Sequence, residues 1–214
     1  MVKLDILADP ICPWCHIGKR QLDTALAARP DHPFVIEWHP FQLNPDMPRG
    51  GMDRRAYLQA KFGGKAEAAR VYAQIDAAAQ AAGLTLNLGA ITRTPNTLDA
   101  QRLIHWAGIE GRQQAVVSFL FQAYFEDGQD IGDRAVLTAI ATRAEMDGAA
   151  IARLLQGEAD IDTIRARDAH ARARGVTGVP TFVVAETHVL VGAQPTTLWQ
   201  EVIEELSGAP GVLQ

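Results

Sequence analysis

Val2-Lys3-Leu4-Asp5-Ile6-Leu7-Ala8-Asp9-Pro10-Ile11-Cys12-Pro13-Trp14-Cys15 is a short apolar strand running into the only two cysteines of a 214-residue chain. A C-x-x-C that follows a strand and opens a helix is arranged to make and break a disulfide. Ile17, Leu22, Ala25 and Leu26 supply the apolar stripe of a helix reaching about Ala28, which puts Cys12 at its positive end. Only a thiolate attacks a disulfide. Unpaired N–H groups and the macrodipole at helix starts favour that anion, holding such thiols at roughly 3.5 to 7.5 against about 8.5 for a free one. Pro13 fits the first turn, where its missing N–H is not needed. Cys15, one turn deeper, can reach the Cys12 sulfur yet is more shielded, which suits it to resolve a mixed disulfide.

The same letters carry two rival readings. Cys12-Pro13-Trp14-Cys15-His16 matches the C-x-x-C-H signature of covalent haem attachment, but that assembly normally needs export and a second axial ligand. A zinc site needs two further ligands, and no other histidines show a paired H-x(3–5)-H spacing. No metal and no permanently bound cofactor is therefore expected. With 48% hydrophobic residues, 21% charged and a formal charge of −5, the balance is that of an ordinary globular chain, not of a binder of nucleic acid or of an anionic membrane. Met1-Val2-Lys3-Leu4-Asp5 lacks the basic start and long apolar run of an export signal, and no later run approaches a membrane span. The expected compartment is the reducing cytoplasm.

Outward from the cysteines the pattern changes twice. Phe34-Val35-Ile36-Glu37-Trp38-His39 alternates and reads as a second strand; Phe41 to Gly51 is dense in turn formers and reads as a crossing between regions. From about Met52 to Arg174 the periodicity predicts helices and no strand. Tyr72, Ile75, Ala79 and Ala82 mark one, stopped by Gly83; Asn96 caps another carrying Leu103, Ile104 and Ala107. Val116, Val117, Leu120, Phe121 and Tyr124 form a third stripe, and Asp133 caps a helix with Val136, Leu137, Ile140 and Ala144. Shorter helices follow over 151–155 and 160–174. Strands return at Thr181-Phe182-Val183-Val184-Ala185 and His188-Val189-Leu190-Val191, before a last helix with Leu198, Val202 and Leu206 inward.

The order β-α-β, helical insert, β-β-α is an α/β thioredoxin fold interrupted by a large all-helical insertion. Its expected parts are residues 1–43 and 175–214 for the thioredoxin domain and 44–174 for the insertion. In Gly175-Val176-Thr177-Gly178-Val179-Pro180-Thr181-Phe182, a proline stands immediately before a strand and is a candidate for a cis peptide bond. In this fold that loop faces the cysteines, and the backbone of Val179 can pair with an extended substrate.

Taken together, Asp9 to Cys15 with Ile17-Gly18-Lys19, Phe41 to Pro48, Asn96 to Leu103, Gly175 to Phe182, and Gly192-Ala193-Gln194 resemble the DsbA-like thioredoxin family. The branch is that of FrnE-type oxidoreductases and 2-hydroxychromene-2-carboxylate isomerases, and the blocks span almost the whole chain. The resemblance implies Cys12 as nucleophile, Cys15 as resolving thiol and Pro180 as the cis-proline. Pro13, Trp14, Val179, Pro180, Asn44 and Gln194 are the expected substrate-facing set, and protein thiols or glutathione the expected partners, for a monomer or homodimer. Isomerase members typically have serine at the nucleophile and use glutathione as co-substrate; keeping both cysteines favours disulfide exchange. A non-catalytic module with an inert thiol pair is the third class. Gln101 stands where relatives often have histidine, and His16 where an aromatic is common.

Single residues carry sharper expectations. Trp14 is expected beside Cys12, exposed or as a half-buried lid. His16 either brings its imidazole toward the Cys12 sulfur, favouring ionisation, or is simply solvated. Asp9 is expected as a turn residue before Pro10. Asn44, Thr97 and Gln194 are expected at the cleft or as packing and capping residues. Arg165, Arg167, Arg172 and Arg174, interleaved with Asp168 and alanines, read as a solvated helix face.

Overall fold

The structure is a computed structural model that describes residues 1–208, with only the backbone of Lys65. Alternating apolar residues build β1 (Val2–Ala8), whose Leu4 and Ile6 are fully buried. β1 pairs in parallel with β2 (Phe34–Pro40) on one side and antiparallel with β5 (Thr181–Val184) on the other. With β6 (His188–Val191) at the edge, the order β2-β1-β5-β6 is that of a thioredoxin sheet. Strand β1, paired on both edges, delivers the cysteine loop to the middle of the molecule.

Between β1 and β2 runs α1 (Pro13–Ala28), ending at the residue its apolar stripe predicts. It packs beside α9 (Thr196–Gly208), whose Trp199 lies edge-on to Phe182, with ring centroids 4.8 Å apart, and to Phe34 at 6.4 Å. Trp199 and Ile203 are the buried residues of α9; Val202 and Leu206 only pack at the edge of that core, and Leu198 is half-buried. The helix is thus turned one position from the expected stripe. Trp199 is the reason: the largest apolar side chain takes the fully covered line, and the neighbouring i, i+4 row moves to the margin.

The segment between the two halves is α2 (Arg54–Phe62), α3 (Lys65–Ala81), α4 (Leu98–Ile109), α5 (Gln113–Phe121), α6 (Arg134–Arg143), α7 (Gly148–Gln156) and α8 (Ile161–Ala173). Asp133 caps α6 as expected, Asn96 Oδ1 accepts from the Leu98 N–H at the start of α4, and Gly83 with φ +70° follows α3. The expectation of helices alone is corrected. β3 (Met52–Asp53) and β4 (Arg93–Thr94) form a small antiparallel ribbon, too short for a two-residue alternation to register in the sequence. A second departure is that α5 continues into a wider π turn over Gln122–Glu126. One apolar cluster runs from Leu4 and Ile6 through Leu103, Phe121 and Leu137 to Trp199, so the helices share their core with the sheet.

A candidate dithiol site at the start of the first helix

Cys12 occupies the cap position of α1 in extended conformation, and no side chain caps that helix start. Its own N–H donates to the Asp9 carbonyl at 2.9 Å, while its carbonyl accepts from Cys15 N–H at 3.0 Å and His16 N–H at 3.3 Å. Across the gap, the Val179–Pro180 peptide is cis, and the Cys12 thiol donates to the Val179 carbonyl at 3.5 Å. Both cysteines are free thiols. Exposure separates them little, 3% for Cys12 against 1% for Cys15. Their surroundings separate them more. Burial pushes the Cys15 thiol well up, reinforced by the neighbouring Cys12 sulfur and only partly opposed by the Asp9 backbone N–H. Trp14, at 38% exposed, is the part of the motif that meets solvent, in line with the first of its two expected placements.

Gly18 lets the helix approach the proline loop. A Cβ there would stand 3.2 Å from Pro180 Cγ, 3.3 Å from Phe182 Cζ and 3.4 Å from the Ala193 Cα. A helical glycine sacrifices about 1 kcal/mol of propensity, and here it gains close contact between α1 and the loop opposite the sulfurs. The sequence signal for this role is a glycine inside an otherwise good helix.

Three expectations about the flanks are corrected. Asp9 is no ordinary turn residue: it is fully buried, Oδ1 accepting from Ile11 N–H at 3.2 Å and Oδ2 from Leu43 N–H at 2.7 Å. Burial raises its carboxyl to about 6, against the pull of those two N–H groups. His16 is neither solvated nor a cation facing the sulfur. Its ring stacks on Phe121 and Phe125, with centroids 5.1 and 5.7 Å away, and Nε2 meets Glu126 Oε1 at 3.1 Å. Burial, then Lys19 and Arg20, lower it to about 4, so it is neutral at pH 7. The π turn carries Phe125 and Glu126, a common use of such turns at functional sites. The arginine run is solvated only in part. Arg172 lies over the Phe41 ring at 4.1 Å, pairs with buried Asp168 at 2.8 Å and donates to the Gln42 carbonyl, while Asp168 accepts from Gln42 N–H. Arg167 reaches Glu37 and His39.

Behind the loop, Gln101 Nε2 donates to the carbonyls of Ala8 and Phe41 at 2.8 and 3.3 Å, joining the ends of β1 and β2. Thr97 is buried and accepts from Gln42 Nε2. Asn44 exchanges hydrogen bonds with the Tyr57 hydroxyl, and Gln194 ties to the carbonyls of Val191 and Gly192. The structure thus brings Cys12, Cys15, Val179 and Pro180 together; it gives Asn44 and Gln194 structural partners of their own. Among the described residues, the one grouping of metal-ligand type is Asp5, Glu37 and His39, away from the cysteines. Lys3 at 3.0 Å from Asp5 and Arg167 at 2.7 Å from His39 already supply its positive charge.

The model of the DSBA-like thioredoxin domain matches residues 3–204. YwbO of Bacillus subtilis (strain 168), an uncharacterised protein, is 26% identical over 205 residues, covering 95% of this chain and 96% of its own. The crystal structure of a probable DsbA oxidoreductase from Streptomyces coelicolor is similar at a TM-score of 0.86 and 28% identity, covering 100% of this chain and 93% of that one. The cytosolic disulfide reductase DsbM of Pseudomonas aeruginosa shares the fold at a TM-score of 0.69 and 21% identity, over 97% and 100% of the two chains. With the cysteine pair at the cap of α1, the cis-proline loop against it and a family match over nearly its whole length, this chain belongs to the DSBA-like thioredoxin domain family of thiol oxidoreductases.

Proposed function

We propose that this protein is a thiol–disulfide oxidoreductase of the FrnE type that exchanges a Cys12–Cys15 disulfide with protein or glutathione thiols in the cytoplasm. The carrying observation is the Cys12 thiol held at an uncapped helix start against the Val179 carbonyl of the cis-proline loop. In the reducing direction, the Cys12 thiolate attacks a substrate disulfide, one substrate thiolate leaves, and Cys12 is joined to the other sulfur. Cys15 then gives up its proton and attacks Cys12, releasing the second substrate thiolate and leaving the Cys12–Cys15 disulfide. Oxidation of a dithiol substrate is the same sequence reversed. Glutathione as a partner is supported by DsbM having also been solved with GSH. The backbone of Val179 and the faces of Pro13 and Trp14 present the surface that a thiol-bearing segment meets, with Pro180 buried behind them.

Insulin reduction by the wild type against Cys12→Ser tests this reading: turnover is expected to vanish in the variant. Equal rates, or no rate in either protein with glutathione or a dithiol as reductant, contradict it. Glutathione-dependent isomerisation of 2-hydroxychromene-2-carboxylate that survives Cys12→Ser would instead favour an isomerase.

A further inference from the structure

Arg54 is the first residue of α2, and its partly buried guanidinium is bonded on two of its nitrogens by neutral groups. Nε donates to the Tyr72 hydroxyl at 3.0 Å, and Nη1 to Thr94 Oγ1 at 3.1 Å and the Tyr124 hydroxyl at 3.4 Å. The rings of Tyr57 and Tyr72 lie with centroids 5.6 and 5.8 Å from its Cζ. Tyr124 cannot serve as a counterion, since burial holds its phenol far above the usual tyrosine range. Among the described residues no carboxylate stands within 4.0 Å of Arg54, so its charge is shielded from water on several sides without an ion-pair partner. Asp53, the nearest acid in sequence, spends Oδ1 on the Ala56 N–H as the cap of α2. Nη2 has no partner among the described residues, and it is not among the atoms closed off from solvent.

Arg54 also lines a cavity of about 520 Å³ between the α2–α3 hairpin and the turn before β4. Leu58, Leu88, Ile91 and Tyr72 give it apolar walls, and its charged lining residues are Arg54, Arg55 and Asp53, two cations to one carboxylate. The volume lies within the range of small-molecule sites, and mostly apolar walls with a few placed polar groups are their usual chemistry. A partly shielded guanidinium with a free N–H edge binds a carboxylate through charge-assisted bonds. We propose that this cavity binds a monocarboxylic acid with an apolar tail, its carboxylate on Nη2 of Arg54 and its tail against Leu58, Leu88 and Ile91. Neither cysteine lines the cavity, so the proposal stands whether or not the dithiol exchanges disulfides.

Calorimetric titration of the full chain with octanoate, against the neutral octanamide, tests it. Octanoate is expected to bind, octanamide at least about tenfold more weakly, and Arg54→Gln to remove that preference, the scale of a lost charge-assisted bond. Because Arg54 also ties α2 to Tyr72 and Tyr124, Leu58→Trp provides a second arm: it fills the cavity, keeps the guanidinium and is expected to abolish binding. No heat with octanoate in the wild type, equal binding of the amide, or undiminished binding in either Leu58→Trp or a folded Arg54→Gln overturns the proposal.

Discussion

The cysteine loop is held from two directions by opposite means. On the sheet side the contacts are small and uncharged: the Val179 carbonyl, the Pro180 ring and the bare Cα of Gly18. On the helical side they are polar or titratable and buried: Asp9 bridged to Leu43, Gln101 across Ala8 and Phe41, and His16 set between Phe121, Phe125 and Glu126. The sheet side meets the Cys12 sulfur directly, and on the helical side the buried Asp9 acts on the Cys15 thiol. Four substitutions break or sharpen that contrast.

The largest effect is expected at Asp9. Its folded carboxyl, raised to about 6 from 3.8, keeps a proton that the unfolded chain has released, so stability falls as pH rises through that window. Asp9→Asn removes this slope, so its stability relative to wild type should climb by up to about 3 kcal/mol between pH 4 and 7, read from urea midpoints. A difference that stays flat with pH would show that the carboxyl is not isolated from water as described.

His16 works with the opposite sign. Lowered to about 4 from 6.5, the folded ring refuses a proton that the unfolded chain binds, so its contribution to stability is lost as pH falls from 6.5 toward 4. Replacement by phenylalanine keeps the stack and should flatten that loss by about 2 kcal/mol, the ring not being wholly cut off from water. Glu126, itself raised by burial, titrates nearby; making both measurements in a Glu126→Gln background isolates the histidine. A His16→Phe protein with the wild-type acid profile would contradict the assignment.

On the sheet side, Gly18→Val should destabilise by about 1 to 2 kcal/mol, because its side chain meets Pro180, Phe182 and the Ala193 backbone with little room to yield. Disulfide exchange should slow in the same variant without any change in the acid profile, since no titrating group is touched. Smallest is the β5–β6 hairpin, where Ala185 and Glu186 hold φ of +52° and +61°. Glu186→Gly relieves a left-handed strain and should add about 0.5 kcal/mol without altering exchange.

The sheet side was the more legible half in sequence. Cys12, Cys15, Val179 and Pro180 announce themselves by type and spacing, and the strands beside them read as short apolar runs. The helical side was legible as helices but not as an environment. Nothing local in Asp9-Pro10 says that Leu43 will cover the carboxyl, and nothing in Cys15-His16 says that a π turn more than a hundred residues later will bring Phe125 and Glu126 to the ring. Burial of a polar group depends on which distant segment lands on it, and a single sequence carries no periodic trace of that. The ribbon of Met52–Asp53 with Arg93–Thr94 escaped for a simpler reason, each strand being two residues long.

Peptide mapping of single-cysteine variants after incubation with glutathione disulfide addresses the division of labour between the sulfurs most directly. Cys15→Ser should accumulate a stable glutathione adduct on Cys12, while Cys12→Ser, with its remaining thiol buried and held protonated, should acquire little or none on Cys15. Equal adducts on both sulfurs, or faster capture at Cys15, would contradict the account.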